Sequence, residues 1–409
     1  MRSLFAALMI ILLLSGSVSA RTWHVKPDGM GDAPTIQAGI DSASAGDTVL
    51  AAAGVYPDNV VIARSELTLA SESGPSVTTI GSSASGPAIV VSAADVTIEG
   101  FSVAPGPGSG IDCYAGSRTE VSGNIISGRF WGIFANLDGG DCWAHGNVVR
   151  DNRGTGLLGC ALVEENTVSG NSMGAISYCS QVSGNVIEGN NGYDWDYGQC
   201  SGVHCCDQVV DNIMRNNFGG YVSVLCGAVE RNAVEDNEYG ILAIGRGEAI
   251  RENLITGNQG MGGITCVGDA TPLIENNTIY GNVCSGIELM YDVDPGDGTR
   301  YDPRPVIRNN IIVGNRHGIY SQAAEIEVFC NDVWCNLYEQ YDGLVVHGTD
   351  ISEDPLFCGV DLGDLSLRCG SPCVGGAGGC GQIGRFGVAC GGPSQAIPST
   401  WGAIKSRYK

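Results

Sequence analysis

Residues 162–171 read LVEENTVSGN, and residues 181–190 read QVSGNVIEGN. Both stretches contain one unit, in which an Asn is followed two places later by an aliphatic residue and five places later by a second Asn. A turn containing Gly and a short apolar segment come next. The first Asn of the unit recurs at Asn124, Asn147, Asn166, Asn185, Asn212, Asn232, Asn253, Asn277, Asn310 and Asn331.

The spacing of this unit predicts the architecture. The first Asn recurs every 19 to 33 positions, with most steps near 21, and only Arg129 breaks the row of second Asn residues. Such a period with three short β segments indicates one turn of a solenoid, in which equal positions stack about 4.8 Å apart. Aliphatic columns then form a dry core, and Asn columns lie at turns. Leucine-rich repeats need a Leu-rich consensus that is absent, and propellers need a period of about 40.

The units resemble the right-handed parallel β-helix repeats of the pectin-lyase-like superfamily. The resemblance extends to five other segments: 34–41 (PTIQAGID), 45–49 (AGDTV), 54–56 (GVY), 354–357 (DPLF) and 371–373 (SPC). It covers roughly residues 22–390 and implies an all-β, single-stranded right-handed parallel β-helix of roughly 12–13 coils. The superfamily includes lyases, hydrolases, epimerases, esterases and proteins without known activity, so the fold implies no single function.

The composition supports a turn-rich β protein and excludes several partners. Gly accounts for 62 of 409 residues, charged residues for only 16%, and the net charge is −23. Nucleic acid and anionic membrane surfaces attract basic proteins, so neither is an expected partner. Uronic-acid polysaccharides would also be repelled unless a divalent cation bridged the charges.

Residues 1–20 have the features of a secretory signal peptide. A positive start at Arg2 precedes an apolar run too short to span a bilayer, and Val18-Ser19-Ala20 resembles a cleavage site. We therefore expect a secreted or cell-surface protein, of bacterial origin, with no membrane span after signal removal. We also expect a monomer. The 17 Cys residues suit an exported protein with some disulfides.

The two ends of the solenoid are predicted to be capped. The β-helix with its N-terminal cap is assigned to residues 21–357, and residues 35–45 have the pattern of an amphipathic helix that covers the first coil. Residues 358–392 are rich in Cys and Gly and poor in apolar residues, so disulfides are expected to hold this C-terminal cap. Residues 393–409 form a tail, with sorting signal and frayed terminus equally open.

Two columns of the repeat require an interpretation. Glu230, Arg251, Glu275 and Arg308 occupy one position in successive units, and alternating signs favour ion pairs between coils over a substrate-binding stripe. Cys160, Cys179, Cys206 and Cys226 occupy another column, with Cys142 one place off it. Buried thiols and disulfides between coils both fit a straight row, whereas zinc needs ligands that converge.

The candidate ligand-binding residues lie in and beside an insertion. The unit after Asn185 is lengthened by residues 191–199, a segment rich in aromatic and acidic residues. Aromatic rings beside carboxylates suit sugar stacking and hydroxyl hydrogen bonds, and extra loops on a regular scaffold often bind ligands. A solvated loop is the alternative. The candidates are Tyr193, Asp194, Trp195, Asp196, Tyr197 and His204, with His204 predicted to face outward between Ser177 and Ser223. This outward column, which lacks a close pair of carboxylates, is predicted to run through Phe134, Leu158, Ser177, His204, Ser223, Leu242, Thr265, Glu288 and Tyr320.

A second insertion, at residues 291–303, carries Asp292, Asp294 and Asp297. These carboxylates are candidate ligands for Ca²⁺, although their spacing does not match an EF-hand loop. A solvated loop is again the alternative reading. We expect no other cofactor.

The sequence lacks the local catalytic motifs of polygalacturonase-like hydrolases and pectate lyases, so no catalytic residue is assigned. We expect an exported β-helix that binds or displays at the cell surface, with polysaccharide as the candidate ligand. The alternatives are a polysaccharide lyase or epimerase of the same fold, and a purely structural surface protein. A cleft in which two acids, or an acid and an Arg, converge would indicate catalysis, and an aromatic platform without such a pair would indicate binding.

Overall fold

The computed structural model describes residues 19–81, 85–114, 116–136, 141–192, 200–224, 227–322, 326–346, 348–375 and 379–390. Each coil contributes one strand to each of three parallel sheets, which we number in chain order. Sheet 1 contains Thr22–Val25, Thr48–Ala51, Leu67–Ser71, Val96–Glu99, Thr119–Ser122, Cys142–His145, Leu162–Glu164, Gln181–Ser183, Gln208–Val210, Ala228–Glu230, Arg246–Arg251, Thr271–Glu275, Val306–Arg308 and Glu327–Phe329.

Sheets 2 and 3 complete each coil. Sheet 2 contains Gly54–Tyr56, Thr78–Ile80, Ser102–Val103, Ile125–Ser127, Val148–Arg150, Thr167–Ser169, Val186–Glu188, Ile213–Arg215, Ala233–Glu235, Leu254–Thr256, Thr278–Tyr280, Ile311–Val313 and Asp332–Trp334. Sheet 3 contains Val60–Ile62, Ile89–Val91, Ile111–Cys113, Ile133–Ala135, Leu157–Leu158, Ile176–Ser177, Cys200–His204, Tyr221–Val224, Tyr239–Ala243, Ile264–Val267, Ser285–Met290, His317–Ser321 and Tyr341–Asp342.

This architecture confirms the predicted all-β parallel solenoid. The 13 or 14 strands per sheet slightly exceed the roughly 12–13 coils expected. In each coil, one or two small or aliphatic side chains per strand point inward, as do the fully buried Val163, Val168 and Ile176. Neighbouring positions along each strand point outward because side chains alternate across a sheet. The stacked β-branched residues therefore form one continuous core along the axis.

The first Asn column forms a buried ladder at the turn between sheets 1 and 2. Asn166 donates from Nδ2 to Oδ1 of Asn185 in the next coil (3.1 Å) and to the backbone oxygen of Ala144 in the preceding coil (2.9 Å). Its Oδ1 accepts the backbone N–H and Nδ2 of Asn147 (2.9 and 3.0 Å). The pattern runs from Asn124 to Asn331, and every member is at most 1% exposed. One amide thus satisfies polar groups of three coils.

The second Asn column forms a parallel ladder between sheets 2 and 3, from Asn152 to Asn336. Its exception, Arg129, is fully buried at the start of the ladder. The backbone N–H of Arg129 donates to Asn152 Oδ1 (3.0 Å), and its guanidinium donates to the backbone oxygens of Ala104 and Gly86 in earlier coils. The arginine therefore satisfies backbone carbonyl groups of earlier coils at a position where the column otherwise has an Asn.

The predicted N-terminal helix is present as Ile36–Ser42. Thr35 caps it by accepting the backbone N–H of Ala38 (3.1 Å), and Ile36 and Ile40 are buried against the first coil. The helix ends before the predicted residue 45 because Asp47 accepts the backbone N–H of Ser44 (2.8 Å) and holds the chain extended there.

The C-terminal region packs against the outside of sheet 2 and forms a second, smaller core. It comprises an antiparallel pair, Phe357–Gly359 and Asp364–Arg368, the 3₁₀ turn Val360–Leu362 and the strand Val388–Cys390. Two disulfides fasten it, Cys330–Cys380 and Cys358–Cys390. The prediction that disulfides hold this end is confirmed, although one bond reaches outside residues 358–392, to Cys330 in the last coil.

The alternating charge column forms ion pairs between coils, as the structural interpretation predicted. Arg251 lies 2.8 Å from Glu230, and Arg308 lies 2.8 Å from Glu275. These groups are partly exposed, so each pair contributes at most a few tenths of a kcal/mol, by the order of magnitude typical of surface pairs.

The ladder predicts a large cost for removing one amide. In the Asn185→Ala variant, Asn166 loses its acceptor and Asn212 loses its donor, both in the dry interior. Because each orphaned buried group costs about 1–3 kcal/mol, we expect unfolding to become easier by more than about 2 kcal/mol. Ser183→Ala in the same coil, which removes one partly exposed hydrogen bond to Glu164, is the matched control. Equal effects in denaturant melts would contradict the assigned role of the ladder.

Two glutamates are buried in the coils: Glu235 is 8% exposed and Glu248 is 7% exposed. Burial raises the pKa of each to about 7, from an ordinary value of 4.5. The positive charges of Arg215 and Arg385 offset this rise for Glu235 only in part. Both carboxyl groups therefore hold their protons in the folded protein at mildly acid pH.

The buried glutamates predict that stability decreases as the pH rises from 4.5 to 7. In that window the folded chain retains these protons, whereas the unfolded chain has released them. Because the folded state binds more protons, the free energy of unfolding decreases as the pH rises. Melting temperatures measured across the window should show a shallower decrease for Glu235→Gln. Glu99→Gln, on the exposed face of sheet 1, should reproduce the wild-type slope. A steeper slope for Glu235→Gln would refute the assignment.

Candidate active site

Sheet 3 presents an unbroken outward column along the solenoid, and we call the outer side of this sheet the axial face. The column was predicted from the repeat and is confirmed with one correction. His204 pairs with Ser177 on one side but with Val224, not Ser223, on the other. The shift arises from a bulge between Cys200 and Val203. The column runs through Asp112, Phe134, Leu158, Ser177, His204, Val224, Leu242, Thr265, Glu288, Tyr320 and Asp342.

A groove of about 540 Å³ opens on the C-terminal part of the axial face. Glu288 lies at its centre, half-buried on the strand Ser285–Met290. The backbone N–H of Gly262 donates to Glu288 Oε2 (3.1 Å). Burial raises the pKa of Glu288, and the Gly262 hydrogen bond and the charge of His317 reduce this rise. The groove therefore holds a carboxyl group that retains its proton at higher pH than an ordinary glutamate.

His317 enters the groove one coil further, at the start of the strand His317–Ser321. Its Nδ1 lies 3.3 Å from Oδ2 of Asp342 in the following coil, within ion-pair distance, but makes no hydrogen bond among the described residues. The contact places a carboxylate directly beside the imidazole. The arrangement suits proton transfer from a bound molecule.

Tyr320 and Arg316 complete the polar side of the groove. Tyr320 pairs with Glu288 in register, and its hydroxyl accepts a hydrogen bond from Gln322 Nε2 (3.1 Å). Arg316 lies at the same end, with its guanidinium 5.3 Å from the centre of the Tyr338 ring. The groove is thus lined by a carboxyl, an imidazole, a phenol and a guanidinium.

Aromatic and thioether groups form the other wall. The rings of Tyr221 and Tyr239 lie 5.0 Å apart, and the Tyr221 hydroxyl lies 2.9 Å from Met261 Sδ. Gly260 permits this packing, because a Cβ at that position would lie 2.1 Å from the Tyr239 ring. Met261 also borders an adjoining pocket of about 630 Å³, so the two cavities meet along the axial face.

The predicted calcium ligands lie on the antiparallel hairpin Asp292–Val293 and Arg300–Tyr301 and its turn. Asp292 borders the adjoining pocket. Asp294 and Asp297 each accept a backbone N–H two residues ahead, from Gly296 (2.7 Å) and Thr299 (2.8 Å). Across the described ranges, no three or more His, Cys, Asp or Glu side chains are grouped to hold a metal ion. Calcium binding here stays a prediction.

The predicted ligand-binding loop is placed only in part. Tyr193, Asp194, Trp195, Asp196 and Tyr197 lie outside the described residues. His204 lies on the axial face, half-buried, with its ring 5.3 Å from that of Tyr178 and Nε2 3.4 Å from Cys205 Sγ. Burial lowers the pKa of His204. In the sequence, the insertion directly precedes the strand Cys200–His204, which belongs to the same sheet as the groove.

The residues of the groove were only partly visible in the sequence. Glu288 and Tyr320 stood in the predicted outward column, but that column appeared to lack a second carboxylate. The missing partner is Asp342, two coils beyond Glu288, acting through His317. A signal was present: His317 stands three places before Tyr320, close enough to belong to the same strand.

The cysteine column forms a row of thiols inside the solenoid. Cys160, Cys179 and Cys206 occupy equal positions in successive coils, and the backbone N–H of Cys179 donates to Cys206 Sγ (3.3 Å). Cys142 stands one register position off this row, as predicted, because Trp143 pairs with Leu162, and Cys226 lies outside the described residues. Hydrogen bonding to Cys142, together with burial, raises the pKa of Cys113. Cys113, Cys142, Cys160 and Cys179 are buried thiols rather than disulfides.

The comparisons with known proteins agree with this fold. A family model described as right handed beta helix region matches residues 201–351, and one described as periplasmic copper-binding protein (NosD) matches residues 40–228. A comparison with curated proteins finds no match. Residues 40–228 contain the thiol row, whose members follow the axis instead of surrounding a point. Those described residues therefore do not fit a copper centre of three or more ligands.

Solved structures with the same fold are enzymes of polysaccharide chemistry. The PL6 family alginate lyase AlyGC has a TM-score of 0.56 and 15% identity over 90% of this chain, which spans 56% of that enzyme. A mannuronic acid specific family 6 lyase from human gut microbiota has a TM-score of 0.49, 12% identity, and coverage of 83% of this chain and 92% of its own. The mannuronan C-5 epimerase AlgE4 A-module from Azotobacter vinelandii has a TM-score of 0.48 and 16% identity, with coverage of 78% of this chain and 95% of its own. At these identities the likeness shows the fold alone.

The thiol row predicts an ordered pattern of reactivity. Cys113, Cys142, Cys160 and Cys179 are at most 2% exposed, whereas Cys335 and Cys369 are exposed. Alkylation of the native protein should label Cys335 and Cys369 quickly, and the four buried thiols should react only after unfolding. Peptide mass spectrometry with one reagent before unfolding and an isotopic variant after it gives the measurement. Native-state labelling of Cys160 at the rate of Cys335 would contradict the burial of the row.

Proposed function

We propose that this right-handed β-helix of pectin-lyase-like fold binds a polysaccharide along its axial face and acts on it by proton transfer in the groove around Glu288. The observation that carries the proposal is the convergence of Glu288, Arg316 and His317 at one opening. The reaction class is that of a polysaccharide lyase or epimerase. Both reactions begin when a base removes the proton from the carbon beside a sugar carboxylate.

The groove supplies a group for each part of that chemistry. His317, 3.3 Å from Asp342, is the base that accepts the carbon-bound proton. Arg316 pairs with the sugar carboxylate and stabilises the charge that develops there. Glu288, whose pKa is raised by burial, is the acid. In elimination, the bond between C-4 and the glycosidic oxygen breaks, and Glu288 gives its proton to that oxygen. In epimerisation, the glycosidic bond stays intact, His317 keeps the proton it has removed, and Glu288 gives its own proton to the opposite face of the carbon.

Charge is the main difficulty for an acidic substrate, because the whole chain has a net charge of −23. Within the groove the balance is different. A protonated Glu288 is neutral, the charge of Asp342 is compensated when His317 becomes protonated, and Arg316 remains positive. A divalent cation on Asp292, Asp294 and Asp297, beside the groove, would reduce the repulsion further. We therefore propose to measure binding with and without Ca²⁺.

The fold relatives and the sequence support this reading in a limited way. The alginate lyase AlyGC shares the fold over 90% of this chain, and the periplasmic family description fits the secretory features of residues 1–20. An exported protein would meet polysaccharide outside the cytoplasm. Among the described residues, no helix is both long and apolar enough to cross a membrane. We propose a secreted, periplasmic or surface location.

Binding or display without catalysis is the second candidate function, because His204 lies on the axial face and the aromatic residues of segment 193–197 shortly precede its strand in the sequence. The two candidates differ in product. A non-catalytic module retains glycans on an array and releases them unchanged, whereas an enzyme yields unsaturated or epimerised sugars. A purely structural protein retains no glycan at all. An array read for both retention and product separates the three.

We predict that Glu288→Gln and His317→Gln each reduce turnover by at least about a hundredfold, the usual contribution of a general acid or base. The substrates are oligomeric alginate and polygalacturonate. Elimination is followed by ultraviolet absorbance of the unsaturated product, and epimerisation by uptake of deuterium at C-5. Glu99→Gln on sheet 1 is the matched control and should remain active. Wild-type turnover that both variants retain would refute the assignment to this groove.

A further inference from the structure

A second feature of the axial face lies in its N-terminal part, where three aromatic side chains meet at the surface. The rings of Trp131 and Phe134 are stacked, with centroids 4.9 Å apart and an interplanar angle of 19°. Phe130 packs edge-on against Trp131, also at 4.9 Å. Phe130 is 37% exposed, and the other two rings are partly exposed. The three rings form a continuous aromatic surface, which we call the aromatic platform.

The solenoid core does not require this platform. On the strand Ile133–Ala135, the inward positions are already filled by Ile133 and Ala135, both fully buried. Phe134 points outward between them. In the next coil, Gly154 makes room for Trp131, since a Cβ there would lie 2.9 Å from the indole Cδ1. The chain therefore places large apolar rings at the surface, where most neighbouring coils place smaller side chains.

A polar group accompanies the rings. Asp112 pairs with Phe134 in register and points to the same side of the sheet. Its carboxyl accepts a hydrogen bond from Ser109, and its Oδ1 is buried without a partner among the described residues, while the residue as a whole is partly exposed. An aromatic surface beside a partly exposed carboxyl group matches the two sides of a sugar ring, whose C–H face is apolar and whose hydroxyl groups donate hydrogen bonds.

We propose that Trp131, Phe134 and Asp112 form a second carbohydrate subsite, which holds a distant part of the same polysaccharide chain that occupies the groove. The inference rests on the proposed function of the groove. Asp112 pairs with Val90 and Phe134 on the neighbouring strands, and neither an arginine nor a histidine stands at these paired positions. We therefore expect the platform to hold a sugar without reacting with it. Both sites lie on one face, and the sheet that joins them is unbroken.

The separation of the two sites determines which ligands can reach both. Phe134 and Glu288 are seven coil steps apart, counted through the paired strands, which corresponds to roughly 34 Å at about 4.8 Å per step. A tetrasaccharide is shorter than this distance, whereas a long chain laid along the axis spans it. Occupying the platform should therefore raise the effective concentration of the same chain at the groove and add to its affinity.

The test compares chain lengths in the full-length protein. We predict that Trp131→Ala weakens binding of long-chain alginate about three- to tenfold, the range expected for loss of one aromatic contact, and leaves tetrasaccharide binding unchanged. The matched control is Trp143→Ala. Trp143 is similarly exposed at 39% but lies on sheet 1, so both ligands should bind this variant as they bind the wild type. Calorimetric titration gives the dissociation constants, and a melting curve verifies the fold of each variant.

Asp112→Asn provides a second variant that keeps the shape of the platform if Trp131→Ala unfolds, and it should show the same dependence on chain length. Equal weakening of short and long chains, or no weakening in either platform variant, would overturn the second subsite while leaving the groove in place. If the wild type binds neither ligand, the proposed function of the groove fails as well. If Trp131→Ala instead disrupts capture of a protein partner, the platform is a protein-docking surface and the inference is wrong.

Discussion

The amide-to-amide hydrogen bond between Asn residues of successive coils is the interaction on which the rest of this structure depends. Each turn leaves backbone carbonyl and N–H groups pointing into a dry interior, where an unsatisfied group costs about 1–3 kcal/mol. An Asn side chain can donate two hydrogen bonds and accept two, so one residue per turn satisfies the turn and joins it to the next. The two ladders therefore fix the register of the coils that they join, from Asn124 to Asn336.

The ends of the ladders show that they have a direction. Every amide-to-amide hydrogen bond of the ladders donates toward the C-terminal coil, so the last donor of the first ladder needs an acceptor, and Asp350 supplies one. Gln340 does the same for the second ladder. At the opposite end, the buried guanidinium of Arg129 donates to carbonyl groups of the first coils. A cation at the carbonyl end and an anion at the amide end both stabilise the aligned amide dipoles.

A fixed register turns equal sequence positions into straight columns, and the functional surfaces are made from those columns. Glu288, Tyr320 and Asp342 belong to three successive coils, yet they lie on one face because the ladder allows no slip between coils. The aromatic platform and the thiol row follow the same rule on the outside and inside of the solenoid. The scaffold can thus vary its outward residues coil by coil without changing the core, which is how binding and chemistry are separated along one face.

The sequence by itself determined the solenoid, its core columns, its Asn turns, its ion pairs between coils and the capping helix at Ile36–Ser42, because all of these follow from local periodicity. It also placed Glu288 and Tyr320 on a common face. Only the tertiary structure decided that His317 meets Asp342, that His204 pairs with Val224 and that Cys330 pairs with Cys380. These contacts depend on side-chain direction, on a bulge near Cys200 and on the path of a nonrepeating C-terminal segment. None of those is periodic, so the repeat that reveals the scaffold carries no information about them.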